Sequence, residues 1–260
     1  MPKCLSAFLV AVLLAAAPAF AQSGSFQIAV NGKPVGTATY SFLATPEGYN
    51  STSLVRLAMK GLDYSISKSE RLSSSNQLKH VQLSAVVNSS VVTVAAKPDA
   101  AQFLLNISAN GRSSTTRLAA HPAAVFLPDF DPGALETLLA LGIAHNSRDL
   151  WAIIPRQAGS IAPVTLATYA DEKGTLDGKP IAVHHLVATI SGQQTVLFSG
   201  PENQLLQAEL PQQGFALVRK GFVLTPPARP TVPIDQDSPA TAPAAAPAPT
   251  AAPITAPTGV

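Results

Sequence analysis

Cysteine is nearly absent from this chain, in which Cys4 is the only one. Cys4 lies in an N-terminal segment that we expect to be removed on export, so the remaining chain has no thiol for an intramolecular disulfide. Cys4 also precedes the apolar run of that segment, which excludes it as the lipid-bearing cysteine of a bacterial lipoprotein. Secreted proteins of animals and plants of this size usually contain disulfides. Their absence, together with many Ala and Pro residues, favours a bacterial envelope protein.

Strong charge and further long apolar runs are also missing. The formal net charge is +2, and the lysines and arginines are scattered without forming a basic block. Nucleic acid binding needs clustered basic groups that displace counterions, so we expect no nucleic acid partner. No second stretch approaches the roughly 20 apolar residues of a membrane-spanning helix, so we expect no integral membrane span after removal of the N-terminal segment.

The sequence lacks the motifs of several enzyme classes. It has no G-x-S-x-G for a serine hydrolase, no Gly-rich phosphate loop for a nucleotide and no cysteine after residue 4 for a thiol enzyme. Ser65-Ile66-Ser67-Lys68 matches the S-x-x-K of penicillin-recognising enzymes. However, the alternation of Leu62, Tyr64 and Ile66 predicts a strand, on which residues three apart point to opposite faces. We therefore assign no catalytic residue and no cofactor.

The histidines and turn carboxylates do not predict a site either. His184-His185 is an adjacent pair, but neighbours on a strand diverge, and a zinc site needs three or four convergent ligands. The other three histidines are dispersed, so we predict no metal site. Asp171, Glu172 and Asp177 lie near glycines, which predicts solvated turn residues rather than the paired carboxylates of a glycosidase.

The first 21 residues have the composition of an export signal. Lys3 gives a short basic start, Leu5 to Ala17 is almost wholly apolar, and Ala19-Phe20-Ala21 has the small-x-small pattern of a cleavage site. The apolar run is too short to span a membrane stably. We predict a signal peptide over residues 1–21 and a mature chain that begins at Gln22 and is periplasmic or secreted.

Residues 226–260 differ in composition from the rest of the chain, because ten of them are prolines and many others are alanines. Proline fixes φ and removes a hydrogen-bond donor, and alanine offers little surface for a core. We predict a disordered C-terminal tail with partial polyproline II character. It either has no specific partner or docks onto an envelope protein.

Most of the remaining residues, 22–225, have the pattern of β-strands. Apolar side chains such as Ala38, Tyr40 and Phe42 alternate with Ser, Thr or charged residues through successive runs. Asn31-Gly32 and Asn110-Gly111 are strong hairpin signals, because both residues tolerate positive φ. This alternation is typical of antiparallel strands with one solvated face.

One helix is predicted between the strand runs, over residues 132 to about 145. Asp131 can cap it, and Pro132 suits the first helical position. Four apolar side chains at helical spacing form one stripe: Leu135, Leu138, Leu139 and Ile143. The stripe either lines a groove for an apolar ligand or covers the open side of a curved sheet. Strands are predicted to resume over residues 150–154, 164–169, 180–190, 195–198, 205–210 and 215–218.

This order of a long meander, one apolar helix and a second meander predicts a mainly β fold. We expect a curved antiparallel sheet, an open or half barrel, wrapped around one central helix. The layout resembles the periplasmic lipoprotein-carrier (Lol-type) half-barrel and uncharacterised envelope proteins of similar plan. Three segments carry the resemblance: Phe26 to Phe42 with its x-Gly-x-x-Val-Gly turn, the helix Pro132 to Leu141, and Gly178 to Leu210 with its Ser191-Gly192 turn.

The resemblance implies either an apolar ligand such as an acyl chain or a scaffold that binds none, and it supplies no binding residue to carry over. The sequence therefore predicts an exported, non-catalytic β protein that binds a lipid-like or other apolar small molecule, or serves as an envelope scaffold. The candidate ligand-binding residues are those of the helix stripe, Leu135, Leu138, Leu139 and Ile143. Two alternatives stay open: an unrecognised secreted hydrolase, since Ser, His and Asp are plentiful, and an interaction module that acts through its Pro/Ala-rich tail.

Overall fold

The structure, a computed structural model, describes residues 21–156 and 159–225. The predicted signal peptide up to residue 20 and the predicted tail of residues 226–260 lie outside the described residues. The described part consists of 17 strands and one α-helix, with a single short 3-10 helix, Pro211–Gln213. The mainly β fold expected from the sequence, a curved sheet with a helix inside it, is confirmed.

The strands before the helix are β1 (Ala21–Val30), β2 (Lys33–Thr45), β3 (Gly48–Met59), β4 (Leu62–Ser73), β5 (Leu78–Val87), β6 (Ser90–Asp99), β7 (Gln102–Ala109), β8 (Arg112–Ala119) and β9 (Ala124–Phe126). The helix α1 covers Pro132–Ala144. The strands after it are β10 (Leu150–Ile154), β11 (Ser160–Thr168), β12 (Glu172–Leu176), β13 (Lys179–Ile190), β14 (Gln193–Ser199), β15 (Leu205–Leu210), β16 (Phe215–Arg219) and β17 (Phe222–Leu224).

Strands β1 to β8 form an antiparallel meander in which each strand pairs with the next. The predicted Asn31-Gly32 turn joins β1 to β2, with φ of 48° and 77°. Alternate side chains such as Tyr40 on β2 and Val55 on β3 are buried, and their neighbours face solvent. This half of the sheet therefore buries one face and leaves the other wet, as the alternation predicts.

Strand β1 joins the two meanders into one sheet, because it pairs with β2 on one side and with β16 on the other. From β16 the sheet continues antiparallel through β15, β14, β13, β11 and β10. Ile28 of β1 is opposite Leu217 of β16, and both are fully buried. The main core is thus continuous across the junction and covers the inner face of the sheet.

Helix α1 begins where the sequence predicts. The Asp131 Oδ1 atom accepts hydrogen bonds from the backbone N–H groups of Gly133 (2.9 Å) and Ala134 (3.3 Å). The helix lies against β2 and β3 on one side and against β9, β10 and β15 on others. Ten of its 13 residues are buried because the sheet wraps around it, whereas Ile143 in the last turn is 54% exposed. The expected single apolar stripe through Ile143 is therefore wrong.

The pairing of β9 with β10 is the one parallel contact among the described strands. These strands are parallel, with Val125 opposite Ala152. A parallel pair needs a long crossover connection, and α1 supplies it. All three residues of β9 are buried, so this short strand has no alternation to reveal it.

Strands β12 and β17 are also absent from the strands predicted after the helix. Strand β12 begins at Glu172, which was expected in a turn. Strand β12 pairs with both β13 and β17. A second apolar cluster packs there, on the outer face: Val183, Phe198, Leu206 and Phe222. The C-terminal half of the sheet therefore buries both faces, unlike the N-terminal half.

Candidate ligand-binding site

A cavity of about 230 Å³ lies beside the N-terminal end of α1, where it meets the ends of several strands. Its apolar wall consists of Leu127, Phe130, Leu135, Ile154, Ile190, Leu210 and Leu217. Its polar lining includes Asp129, Asp131, Arg156, Ser191, Gln193, Thr195 and Gln213. Small-molecule sites usually have a predominantly apolar lining with a few polar groups and measure about 300–1,000 Å³. This cavity is smaller and has about as many polar as apolar lining residues, so it suits a small ligand or one end of an amphiphilic chain.

The segment of residues 127–131 forms one wall of the cavity. Its start is fixed to β10, because the Leu127 N–H donates to the Ile153 carbonyl oxygen (2.9 Å). Phe130 has a φ of 59°, which is uncommon for a bulky residue. Its ring lies 4.7 Å from that of Phe215 and 6.1 Å from that of Tyr64, centroid to centroid. These contacts hold the turn that leads into the helix cap.

An ion pair lies at the rim of the cavity. The Arg156 Nε atom donates to both carboxylate oxygens of Asp129 (3.1 and 3.0 Å), and a terminal guanidinium nitrogen of Arg156 also contacts Asp129. The side chains are 55% and 34% exposed, respectively. Hydrogen bonding to Asp129 raises the pKa of Arg156, so the guanidinium stays charged. The cavity thus has a mixed apolar and polar lining with an ion pair at its rim.

A buried ion cluster, Lys68 with Glu70 and Asp131, lies behind the helix cap. Lys68 Nζ is 2.7 Å from Asp131 Oδ2 and 3.0 Å from Glu70 Oε2, and all three side chains are fully buried. Burial by itself would lower the pKa of Lys68, but the two carboxylates outweigh it and hold that pKa above its usual value. Burial raises the pKa of Glu70. The two carboxylates therefore favour the charged form of Lys68.

The structure confirms that the S-x-x-K match lies on a strand, β4, but the sequence analysis missed the burial of Lys68. The alternation of Leu62, Tyr64 and Ile66 continues through Lys68 and Glu70 to Leu72 on the same inward face. Extending the alternation of apolar residues to Leu72 would have placed Lys68 and Glu70 on the buried face.

Two serines on β3 complete this polar region of the inner face. Ser51 is opposite Glu70 in the strand register, and Ser53 is opposite Lys68. Among the described residues, both serine hydroxyls and Glu70 Oε1 lack a hydrogen-bond partner. A Cβ atom on Gly133 would lie 2.6 Å from Ser53 Oγ, so glycine allows the helix to approach β3 this closely.

A second buried carboxylate, Glu136, joins the helix to both halves of the sheet. Its Oε1 atom accepts hydrogen bonds from the Leu205 N–H (2.8 Å) and from the Tyr40 hydroxyl, and lies 4.0 Å from an Arg219 nitrogen. Arg219 in turn donates to the carbonyl oxygens of Leu205 (3.2 Å) and Ser23 (2.6 Å). Burial raises the pKa of Glu136 to about 7, against the opposing effect of these hydrogen bonds. Glu136 therefore titrates near neutral pH.

The four residues predicted to bind a ligand do not come together at one cavity. Leu135 lines the cavity described above. Leu138 and Leu139 are 1% and 2% exposed within the main core and are not part of the cavity wall. Ile143 is exposed to solvent. Ligand contact at Leu135 stays a prediction, and packing in the main core explains Leu138 and Leu139 without a ligand.

The adjacent histidines face opposite sides, as expected on a strand. The ring of His185 is buried between those of Tyr169 and Phe198, at 4.9 Å from each, and burial lowers its pKa. His184 lies on the other face of the strand, and its Nδ1 atom lies 3.0 Å from an oxygen of Asp171. In residues 21–156 and 159–225, no three His, Cys, Asp or Glu side chains are arranged to hold a metal ion.

No family model matches this chain, and no curated protein or solved structure matches it. Within the described ranges, no helix has the length and apolar character needed to cross a membrane.

Proposed function

We propose that this protein is an exported, non-catalytic binding protein for a small apolar molecule or one chain of a lipid-like amphiphile. The cavity beside Leu135 is the observation that carries the proposal, because aliphatic and aromatic side chains form one part of its wall and its rim bears the Asp129–Arg156 ion pair. An apolar chain would contact the interior, and a polar group would stay at the wet rim. A curved sheet around one helix is the layout on which the sequence resembles lipoprotein carriers of the Lol type, and the proposed ligand is the class that this resemblance implies.

Two features favour binding over catalysis. Lys68, the basic residue closest to the helix cap, is held protonated between two carboxylates. About half of the cavity wall consists of aliphatic and aromatic side chains, and the carboxylate of Asp131 is occupied by helix capping and by Lys68. Such a site is suited to hold an apolar group.

Dye binding tests the proposal. We expect 1-N-phenylnaphthylamine to gain fluorescence on binding the purified protein, and decanoate to displace it. The Leu135→Trp variant would fill the cavity and abolish the gain. Ile143→Trp is the matched control, since it places the same ring on the same helix at an exposed position, and it should bind the dye as the native protein does.

Thr195→Trp provides a second way to block the cavity if Leu135→Trp does not fold, because Thr195 lies at the half-buried end of β14. Folding of each variant is checked by circular dichroism. Equal dye binding by the native protein and by a folded Leu135→Trp or Thr195→Trp variant would refute the proposed site. Export is tested separately by expressing residues 1–260 and determining the N terminus of the released chain, which we expect to be Gln22.

A further inference from the structure

A trough of about 650 Å³ crosses the outer face of the sheet from β4 to β8, on the side opposite the helix. One row of residues in register spans these five strands: Ser67, Ser84, Thr93, Ser108 and Ser113. All but Ser108, which is half-buried, are exposed. The trough is within the size range of ligand sites. Four strand spacings make the row about 19 Å long, which suits an extended oligomer rather than a single small molecule.

The trough offers hydrogen bonds and carries no charge. A second row lies two residues along each strand and ends at Asn106 and Thr115, whose side chains are hydrogen-bonded (2.8 Å). Hydroxyl and amide groups can both donate and accept hydrogen bonds. None of the residues that line the trough is ionisable or aromatic. This chemistry matches the hydroxyl groups of a sugar chain.

Cations border the trough on the side beyond its second row. Arg71 of β4 is opposite His80 of β5. Leu104 of β7 is opposite Lys97 of β6 on one side and Arg117 of β8 on the other. The side chains of Arg71, Lys97 and Arg117 are exposed, and within the described ranges none of them makes an ion pair. The sequence scatters these residues, and the strand register brings them into one line.

One carboxylate of the same surface lies near the line of cations. Asp99 is two residues beyond Lys97 on β6, and among the described residues neither makes an ion pair. The three cations lie on alternate strands, β4, β6 and β8, roughly 9–10 Å apart. An anionic partner along this line would have three cations to pair with, whereas a neutral partner would have none.

We propose that the trough binds an acidic polysaccharide, with its sugar hydroxyls on the polar rows and its carboxylates on the line of Arg71, Lys97 and Arg117. A single-stranded nucleic acid is also anionic, but proteins bind its bases by stacking on aromatic side chains, which the trough lacks. The proposal is independent of the cavity beside Leu135, which lies on the other side of the sheet.

Titration calorimetry with three oligomers of equal length tests the ligand class. We expect a decamer of galacturonate to bind, and to bind less tightly as the salt concentration rises. The fully methyl-esterified decamer has the same sugars without charge and should bind at least about tenfold more weakly. A thymidine decanucleotide has a similar charge but lacks the ring hydroxyl groups that would bond to the polar rows, so it should also bind more weakly than the galacturonate decamer.

Two pairs of variants test the location. Arg71→Gln/Lys97→Gln/Arg117→Gln should weaken galacturonate binding about tenfold to a hundredfold, the combined effect of three exposed ion pairs. A triple variant with the same charge change at exposed sites elsewhere, Lys33→Gln/Lys60→Gln/Arg148→Gln, should change binding less than about threefold.

The second pair of variants tests the contribution of the trough to binding separately from that of the cations. Ser84→Trp blocks the middle of the trough without changing charge and should weaken binding, whereas Thr37→Trp, on an exposed site of β2, should not. All four substitution sets are on exposed side chains, so the variants are expected to fold. The proposal is overturned if the two triple variants bind alike, if Ser84→Trp binds like the native protein, or if the decanucleotide binds as tightly as the galacturonate decamer.

Discussion

The outer faces of the two halves of this sheet differ in what covers them. In the C-terminal half, β12 and β17 lie over an apolar cluster that includes Phe198 and Phe222. In the N-terminal half no element of the described chain covers the outer face, which is polar and carries the trough. Both halves share one inner core. The composition of an outer face thus indicates whether a second layer packs on it.

The inner faces differ as well. The C-terminal half presents apolar side chains such as Leu197 and Leu217 to the helix. The N-terminal half places Lys68 and Glu70 there, fully buried. The ion pair of Lys68 with Asp131 therefore connects β4 to the helix cap, whereas apolar contacts predominate in the other half. Substitutions in each half measure how much the ion pair and the apolar contacts contribute to the free energy of unfolding.

The largest expected effect comes from Lys68→Met. The change leaves the carboxylates of Glu70 and Asp131 buried without a cation, so the free energy of unfolding should fall by about 3–5 kcal/mol. Urea unfolding measures this loss. Lys60→Met, at an exposed turn, is the matched control and should change stability by less than about 0.5 kcal/mol. A loss below about 1 kcal/mol for Lys68→Met would mean that the ion cluster does not hold the helix cap to β4.

The next effect tests the second layer of the C-terminal half. Phe222→Ala removes a ring that is 4% exposed under β12, and we expect a loss of about 3 kcal/mol in unfolding free energy, also from urea titration. Val223→Ala, at the next residue of β17 and 59% exposed, should have little effect. Equal stability of the two variants would contradict a packed second layer.

Sequence alone predicted the features that depend on neighbouring residues. The hairpin at Asn31-Gly32, the cap at Asp131 and the helix start at Pro132 are local signals, and each was found. The strands predicted over residues 150–154 and 205–210 match β10 and β15. Period-two alternation and turn chemistry are sufficient for such elements.

Features that depend on distant pairing were missed. The parallel contact of β9 with β10 depends on the helix folding back over the sheet, and β17 is three residues long. Polar side chains in a strand usually face solvent, so the sequence pattern did not predict that Lys68 is buried. Of the predicted ligand residues, only Leu135 lies at the cavity, because the other wall residues come from separate strands whose ends meet only in the folded sheet.

The smallest of the three effects concerns Glu136, which bridges the two halves through Tyr40 of β2 and Leu205 of β15. Its pKa is raised from 4.5 to about 7 in the folded protein, so between these values the folded state binds more protons than the unfolded state. Stability should therefore fall as pH rises, by on the order of 2 kcal/mol between pH 5 and 7. Below about pH 4.5 the carboxyl is protonated in both states, and this destabilisation is absent.

Glu136→Gln removes the titration while keeping an oxygen to accept the Leu205 N–H, so urea unfolding at pH 5, 6 and 7 should show a flatter dependence on pH than in the native protein. Glu202→Gln, at an exposed turn, should keep the native slope. If Glu136→Gln also keeps the full slope, the titrating group is elsewhere, and Glu70, whose pKa burial raises, becomes the candidate. That outcome would move the pH sensitivity from the junction of the two halves into the N-terminal half, because Glu70 belongs to β4 alone.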